Sequence, residues 1–408
     1  MNANMVVKKS SPIVDVLVII RVTKFGGTDR HTIGLIRHMA LMGIGVTVIQ
    51  SGLEFISEHL SDVREFVRFI NTKLPMDETS TDDIRQWRAL MCGLDAKRVV
   101  LVKGWFYVAS ASFVSLLNKM FPHVIQIEHG TMLPRQKWSL GIHVNNGIRP
   151  GIWWYRERWK LRQLSRGSRH VITVSEFNRR CLVEGTYISE KSIRVCWNGV
   201  DTSYWKKDDR KGLDFRRRLG ISVESFVFAC VGRLSPEKGF GLAIDAFKIL
   251  LERSNRDDIH LIIIGDGKQK DELQQRAVQC GSRINFVGFM EDMVSAYSAA
   301  DAVLVTSDYE RHWMGESFGL ALVEAMACEC NIVAIARGAI PEVLGSQSAA
   351  YMVRTNNVEE ITMKMEEVVG ASREIRAISG RALRMHVREK FELSDRMTNL
   401  VNAIVSDE

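Results

Sequence analysis

The sequence predicts an α/β protein built from two doubly wound, parallel-sheet domains. Three observations predict it. Short apolar runs rich in β-branched residues alternate with helical patterns, the alternation occurs in each half of the chain, and a turn-rich, charged stretch at 198–212 separates the halves. Continuous apolar strands separated by helices are typical of parallel sheets covered on both faces. A chain of 408 residues is also longer than one ordinary hydrophobic core requires.

Each half contains five apolar runs that predict strands. Those of the first half are Val14–Val22, Val46–Gln50, Val99–Val102, Val124–Glu128 and Val171–Val174. Those of the second half are Phe226–Val231, His260–Ile264, Ile284–Val287, Ala302–Thr306 and Asn331–Ala336. We therefore predict one Rossmann-like domain over residues 1–200 and a second over 201–390, joined by the turn-rich stretch.

Composition and charge narrow the class of protein. An apolar fraction of 46% and a charged fraction of 25% are those of a soluble globular protein, and no apolar run approaches the roughly 20 residues of a membrane span. The first apolar run follows two lysines, as in a signal peptide, but Asp15 and the lack of a small-residue cleavage site favour a strand. Seven scattered cysteines indicate a reducing compartment, and the lone Cys328-Glu-Cys330 is predicted to pack rather than bind zinc.

Two strands of the first half end in residues that suit a ligand. In open parallel sheets, ligands bind beyond the carboxyl ends of the strands. Gly26-Gly27 follows the first strand, and paired glycines let a backbone approach a ligand closely, although a plain tight turn explains them equally. His129 follows the strand Val124–Glu128 and is either a binding residue or a satisfied structural histidine. The dinucleotide fingerprint G-x-G-x-x-G does not follow the first strand, which disfavours a nicotinamide-dependent dehydrogenase.

The first loop of the second half places two cations beside a helix start. Arg233 and Lys238 lie between Gly232 and Gly239, before a predicted helix Phe240–Leu251. Cations near a helix N-terminus favour a phosphate or diphosphate, whereas the alternative is a solvated loop with a Ser-Pro turn. The Gly265-Asp-Gly267 turn is predicted to be architectural.

The stretch ESFGLALVE carries two carboxylates, Glu316 and Glu324, which would point about 80° apart if both lay on one helix. Ser317 is a good N-cap, so we predict a helix from Phe318, with Glu316 in the preceding loop and Glu324 two turns into the helix. Helical side chains lean toward the N-terminus, so Glu324 reaches back toward the same cleft, unless it is an ordinary polar-face residue. The amides of Phe318, Gly319 and Leu320 are free donors at the positive helix end. Hydroxyl acceptors beside an anion cradle suit a sugar joined to a diphosphate.

Together these segments resemble the retaining glycosyltransferases of the GT-B fold, in particular glycosyltransferase family 4, also known as glycosyl transferases group 1. The resemblance spreads over most of the chain and rests on an ordered set of segments. They are Gly26-Gly27, His129-Gly130, Thr173–Glu176, Asn198–Asp201, Gly232-Arg233, Glu237–Gly239, Val287–Phe289, Glu316–Glu324 and Gly338–Glu342. The stretch 308–314 and the turn Lys103-Gly-Trp105 depart from the family pattern, which leaves the substrate open.

The resemblance implies a role for each matched residue. Arg233 and Lys238 would hold the diphosphate, Glu324 the ribose, and Glu316 with the amides of Phe318–Leu320 the donor sugar and phosphates. Phe289 belongs to the base-binding segment, Gly26, Gly27 and Gly232 line the donor cleft, and His129 would contact the sugar near the reacting carbon. The helix at 391–408, read as Phe391–Val405, would pack back on the N-terminal domain. Retention of the anomeric configuration is likewise implied by the family alone.

We expect no cofactor and no metal, because the chain contains no D-x-D sequence. The leading hypothesis is a cytoplasmic enzyme that moves a sugar from a UDP- or GDP-linked donor to a lipid-linked saccharide in bacterial surface-polysaccharide synthesis. The alternatives are a soluble small-molecule acceptor and a non-catalytic nucleotide-sugar-binding protein. No nucleic-acid partner is expected.

A basic, aromatic stretch predicts contact with a membrane. Residues 149–169 hold seven Arg or Lys, one acid, three Trp and one Tyr, a composition that suits a lipid headgroup boundary or, alternatively, a solvated helix. The excess of basic residues in the N-terminal half, against a mildly acidic C-terminal half, favours docking on the inner face of the cytoplasmic membrane.

Overall fold

The computed structural model describes residues 14–22, 27–77, 79–103, 109–130, 170–186, 189–307, 316–345 and 352–406. They form two parallel β-sheets, each packed between helices, as the alternating pattern predicts. The doubly wound α/β class is therefore confirmed. None of the described helices is both long enough and apolar enough to cross a bilayer.

The first sheet has seven parallel strands in the order β3-β2-β1-β4-β5-β6-β7. The strands are β1 Val14–Val22, β2 Val46–Gly52, β3 Val67–Thr72, β4 Ala96–Lys103, β5 Val124–Glu128, β6 His170–Thr173 and β7 Ile193–Val195. Its described helices are Gly27–Leu41, Thr81–Met91, Ala111–Met120 and Glu176–Thr186, with 3-10 turns at Glu58–Phe66 and Glu190–Ser192.

The second sheet has six parallel strands in the order β10-β9-β8-β11-β12-β13. The strands are β8 Phe226–Val231, β9 Ile259–Ile264, β10 Ile284–Gly288, β11 Ala302–Val305, β12 Asn331–Ile335 and β13 Met352–Val353. The described helices that follow the first sheet are Asp209–Arg218, Phe240–Ser254, Lys270–Ala277, Met293–Ala299, Leu320–Ala327, Ile340–Leu344, Val358–Gly370, Arg373–Lys390 and Leu393–Val405. Short 3-10 turns occupy Pro236–Lys238 and Val278–Arg283.

All ten predicted strands are present, with ends that differ by at most a few residues. The sequence prediction missed β3, β7 and β13, each of which lies at an edge of its sheet. Edge strands are short and covered on one side only, so they lack the continuous apolar run that identifies a central strand. In β3 only Val67 is buried and the other five residues are partly or fully exposed, and β7 and β13 contain three and two residues.

The chain crosses between the sheets near the predicted linker, although the last four residues of that stretch, 209–212, are helical. Asp208 caps this helix, because its side chain accepts a hydrogen bond from the Lys211 amide at 3.0 Å. The crossing segment also pairs, through an isolated β-bridge at Val200, with the segment that returns from the second sheet. The Val200 amide donates to the Phe391 carbonyl at 2.9 Å, and the Leu393 amide donates to the Val200 carbonyl at 3.0 Å.

A carboxylate joins the two sheets close to this crossing. Glu342, on the helix Ile340–Leu344, accepts from the amides of Glu176 at 2.8 Å and Phe177 at 3.0 Å, and from the Trp197 indole nitrogen at 2.7 Å. The two amides belong to the first turn of the helix Glu176–Thr186, where donors lack intrahelical partners. An anion at this helix end is favourable because of the helix dipole.

The last described helix, Leu393–Val405, packs on the first sheet's side of the molecule. Its buried residues, Met397, Leu400, Val401 and Ile404, share a hydrophobic core with the strands of the first sheet and the helix Gly27–Leu41. The approach is close: a Cβ built on Gly34 would lie 3.5 Å from the Met397 methyl carbon.

Candidate functional site

The starts of two helices, one beside each sheet, lie close together. Gly27 begins the helix Gly27–Leu41, and a Cβ built on it would lie 3.2 Å from Leu320 Cδ1. Leu320 begins the helix Leu320–Ala327. Amides in the first turn of a helix lack intrahelical acceptors and carry partial positive charge, so the two helix ends together favour an anion at this place.

Lys238 and Glu316 are in direct contact beside the second of these helix starts. The Lys238 ammonium donates to Glu316 Oε2 at 2.5 Å. The backbone holds Glu316 in this position, because its carbonyl accepts from the Ala339 amide at 2.9 Å. Gly338 is required for the approach, since it has a φ of 62° and a Cβ there would lie 2.7 Å from the Glu316 carbonyl oxygen. Two residues predicted to hold opposite parts of a donor are thus neighbours.

The helix after Glu316 begins two residues later than predicted. Gly319, not Ser317, is its N-cap, in the left-handed region at φ 91°, and the helix runs Leu320–Ala327. Phe318 is not helical. Its ring is 2% exposed and packs edge-on against Phe391, which fixes the chain before the glycine turn. The amides of Phe318, Gly319 and Leu320 have no hydrogen-bond acceptor within the described part of the chain, so they are available to a ligand.

Glu324 is buried beneath this helix start, with 8% exposure. Its Oε2 accepts from the Tyr297 hydroxyl at 3.2 Å, and its Oε1 lies 3.7 Å from Arg30 Nη1. Burial raises the pKa of Glu324 to about 7, while Arg30 and the Tyr297 hydrogen bond act in the opposite direction. Sequence reasoning missed both partners. Arg30 could have been found from its position, because it lies in the first turn of the helix that follows the glycine pair.

The loop with the two cations is held by hydrogen bonds to its neighbours. Leu234 donates to the Asp266 carbonyl at 3.0 Å and accepts from the Gln269 amide at 3.1 Å. Gly265 has a φ of 132°, and a Cβ there would lie 1.9 Å from the Gly232 carbonyl oxygen, which accounts for the predicted architectural role of that turn. Arg233 is exposed on this loop and has no ion-pair or hydrogen-bond partner for its side chain among the described residues.

His129 lies at the carboxyl end of β5 and touches a second imidazole. Its ring packs edge-on against His31, with centroids 4.8 Å apart. Burial and the neighbouring His31 hold the pKa of His129 well below its usual range, and burial lowers that of His31 to about 4. Both rings are therefore neutral at physiological pH. His129 Nε2 and His31 Nδ1 are buried without a hydrogen-bond partner in the described structure.

The remaining predicted site residues are less closely grouped. Phe289 is 67% exposed and follows Gly288, the last residue of β10. The Gly288 carbonyl accepts a hydrogen bond from the Gly265 amide. Phe289 therefore lies at the same edge of the second sheet as the Gly265 turn. Gly26, the turn at 104–105, the stretch 149–169 and the loop 308–314 lie outside the described residues.

The described residues contain neither a disulfide nor a cluster of side chains placed to hold a metal ion. None of the seven cysteines forms a disulfide, and Cys330 is buried with its thiol donating to the Tyr297 carbonyl, in keeping with a packing role. Within the described ranges, no group of three or more His, Cys, Asp or Glu side chains could hold a metal ion.

Two family models match the chain, one on each half. Residues 25–204 match the model described as Glycosyltransferase Family 4, and residues 213–382 match that described as Glycosyl transferases group 1. The boundary between the matches coincides with the crossing between the two sheets.

Similar curated proteins match the chain over part of its length. A D-inositol 3-phosphate glycosyltransferase of Corynebacterium jeikeium is 32% identical over 182 residues, which is 42% of either chain. A GDP-mannose-dependent monoacylated alpha-(1-6)-phosphatidylinositol monomannoside mannosyltransferase of Corynebacterium glutamicum is 27% identical over 194 residues, 46% of this chain and 50% of the relative. The chain thus spans about half the length of the curated relatives it matches.

The fold match is more extensive. The crystal structure of Anabaena HepE in complex with UDP and glucose superposes with a TM-score of 0.74 over 96% of this chain and 100% of that chain, at 16% identity. At this identity the likeness shows the fold alone, and it confirms the predicted GT-B architecture.

Proposed function

Because this chain belongs to the family 4, group 1 glycosyltransferases, we propose that it transfers a sugar from a nucleoside diphosphate donor to an acceptor hydroxyl. One observation carries the proposal. Lys238 and Glu316 are in contact at 2.5 Å beside a helix start whose amides of Phe318, Gly319 and Leu320 have no acceptor in the described structure. This arrangement offers a cation and free amides to a diphosphate, next to a carboxylate that accepts hydroxyl hydrogen bonds.

The chemistry follows from where charge develops. When the bond between the anomeric carbon and the diphosphate oxygen breaks, the leaving group gains negative charge. Fixed cations and amides stabilise that charge without reorganisation, which is the largest catalytic contribution in many enzymes. We assign this role to Lys238, Arg233 and the amides of Phe318–Leu320.

The other site residues are assigned to binding. Glu316 holds hydroxyl groups of the donor sugar, and its contact with Lys238 orients it. Glu324 holds the ribose. His129 is neutral and has an unpartnered Nε2, which suits a hydrogen bond with a sugar hydroxyl near the reacting carbon. Phe289 offers an exposed ring at the edge of the second sheet for a nucleobase.

We further propose that the reaction needs no divalent metal and retains the anomeric configuration. Lys238 and Arg233 supply the positive charge that a metal ion supplies in D-x-D enzymes. Retention is the stereochemical outcome that the family resemblance implies.

For the acceptor we propose a lipid-linked saccharide used in bacterial surface-polysaccharide synthesis, with the enzyme on the cytoplasmic face of the membrane. The basic and aromatic composition of 149–169 supports this acceptor, as does a matched relative whose name specifies a phosphatidylinositol monomannoside. The second candidate is a soluble acceptor. The D-inositol 3-phosphate named for another relative favours it.

The donor is identified by incubating the full chain with UDP-, GDP- and ADP-sugars and measuring thermal stabilisation and slow donor hydrolysis. We expect one nucleotide class to raise the melting temperature and to be hydrolysed. Stabilisation by a nicotinamide nucleotide alone would overturn the proposed function.

The acceptor proposal is tested by co-sedimentation with anionic and neutral liposomes. Wild-type protein should sediment with anionic vesicles, and a triple variant Arg158→Glu, Arg162→Glu, Arg166→Glu should not. A triple variant of exposed arginines on the helix Asp209–Arg218, with Arg210, Arg217 and Arg218 changed to Glu, is the matched control. If wild type fails to bind, or all three proteins bind equally, the soluble acceptor becomes the better proposal.

A further inference from the structure

An ion pair connects a helix beside the first sheet with a helix beside the second, at the residue assigned to the ribose. Arg30 belongs to the helix Gly27–Leu41, which packs on the first sheet, and Glu324 belongs to the helix Leu320–Ala327, which packs on the second. Arg30 Nη1 lies 3.7 Å from Glu324 Oε1. The backbones are also close here, because a Cβ built on Gly27 would lie 3.2 Å from Leu320 Cδ1.

The surroundings of Glu324 make the positive charge of Arg30 important for its ionisation. The carboxylate is 8% exposed, and a buried, ionised carboxylate is costly unless a positive charge or hydrogen bonds compensate it. The titratable groups that face it within the described structure are Arg30, Tyr297 and Cys328. Burial raises the pKa of the Cys328 thiol to about 12 and that of Tyr297 well above its usual range, so both are neutral. Among these three, Arg30 carries the charge.

We propose that Arg30 is a positioning residue for donor binding, which favours the ionised form of Glu324 and so increases its capacity to accept hydrogen bonds from the donor ribose. A protonated carboxyl would use one oxygen as a donor and accept less well. The Arg30 side chain is 43% exposed, so it remains accessible to solvent while it faces Glu324. This inference rests on the proposed function.

The position of Arg30 has a second consequence. Its charge reaches Glu324 only while the helix Gly27–Leu41 stays close to the helix Leu320–Ala327. Separation of the two helices would therefore remove the compensating charge from Glu324.

The test is calorimetric binding of UDP, GDP and ADP to the full chain between pH 6 and pH 8.5. Wild type is compared with Arg30→Gln, which removes the charge, and Arg30→Lys, which keeps it. Arg37→Gln is the matched control, because Arg37 lies on the same helix but pairs with Asp62 at 2.7 Å. Thermal unfolding checks that each variant is folded. The ratio of affinities at each pH cancels the titration of the nucleotide itself.

For the nucleotide that wild type binds, Arg30→Gln should weaken binding about tenfold or more at pH 6 and about twofold or less at pH 8.5, because a higher pH itself favours the ionised carboxylate. Arg30→Lys should restore most of the affinity at pH 6, and Arg37→Gln should match wild type throughout. If Arg30→Gln binds as wild type does, or is weakened equally at every pH, the inference is wrong while the proposed function stands. If wild type binds none of the three nucleotides, the proposed function fails and this inference falls with it.

Discussion

Replacing Glu342 with alanine removes three hydrogen bonds that join the two sheets. The carboxylate accepts from the amides of Glu176 and Phe177 and from the Trp197 indole, at 2.8, 3.0 and 2.7 Å. A hydrogen bond to a charged group contributes about 1.5–3 kcal/mol when buried. Glu342 is partly exposed, so water can replace part of each lost hydrogen bond. We therefore expect each bond to contribute about 1 kcal/mol to the free energy of unfolding. The expected loss in the free energy of unfolding is therefore about 3 kcal/mol.

The loss should be graded across three variants. Glu342→Gln keeps an oxygen that can accept from Glu176 and Trp197 but loses the charge, so it should fall between wild type and Glu342→Ala. Trp197→Phe removes one bond and should cost about 1 kcal/mol from that bond. Glu367→Ala is the control, because its carboxylate pairs with Lys364 on the protein surface, and it should stay within about 0.5 kcal/mol of wild type.

Two measurements check this prediction. Urea unfolding followed by tryptophan fluorescence gives the stability, and hydrogen exchange reports the amides of Glu176 and Phe177 directly, which matters because a chain of two domains need not unfold in one step. Both amides should exchange faster in Glu342→Ala. A variant as stable as wild type, with unchanged exchange at these amides, would show that the carboxylate does not hold the domains together.

Four further predictions concern the site. Arg233→Ala and Lys238→Ala should each lower turnover by a factor on the order of 100 with little change in stability. The reason is that each variant loses a proposed transition-state contact of about 3 kcal/mol. Near-normal turnover in both variants would disprove the diphosphate assignment. Gly265→Ala should cost at least about 3 kcal/mol in urea unfolding, since its Cβ would lie 1.9 Å from a carbonyl oxygen, whereas Gly370→Ala, with open space around it, should cost little. Burial raises the pKa of Glu324 to about 7 in the folded state, so its stabilising contribution is complete below the unfolded value near 4.5 and is lost as the pH rises through 7. Wild type should therefore lose stability over that pH window relative to Glu324→Gln, and parallel pH profiles would contradict the burial argument. Sugar transfer should be unaffected by excess EDTA, and abolition with rescue by manganese would reveal a metal site.

The central strands were predictable because strands buried on both faces consist mainly of apolar residues. β1, β5 and β8 have the predicted bounds. Edge strands such as β3 lack this continuous apolar pattern. The helix start at Leu320 was misplaced because Ser317 has the right chemistry for a cap, while the buried Phe318 ring and the left-handed Gly319 decide the geometry.

The site was predictable where its residues are neighbours in sequence or follow strand ends. The contact between Lys238 and Glu316 follows from the rule that carboxyl ends of parallel strands meet at one edge. Arg30 and His31 were missed, because their partners belong to distant parts of the chain. The sequence around Arg30 does not indicate that it contacts Glu324. His31 cannot be distinguished by sequence from the other residues of its helix.

The return of the helix Leu393–Val405 to the first sheet bears on how the protein is made. On the ribosome, the strands β1–β7 emerge first, yet part of the apolar core beside the helix Gly27–Leu41 stays uncovered until Met397, Leu400, Val401 and Ile404 have been synthesised. The strands and helices of the second sheet are translated in between, so they can assemble while the first domain is still incomplete. N-terminal domains usually fold first during synthesis, but here the last packing step of the first domain waits for the end of the chain. A nascent chain halted at Lys390 would therefore expose apolar residues of the first domain to chaperones.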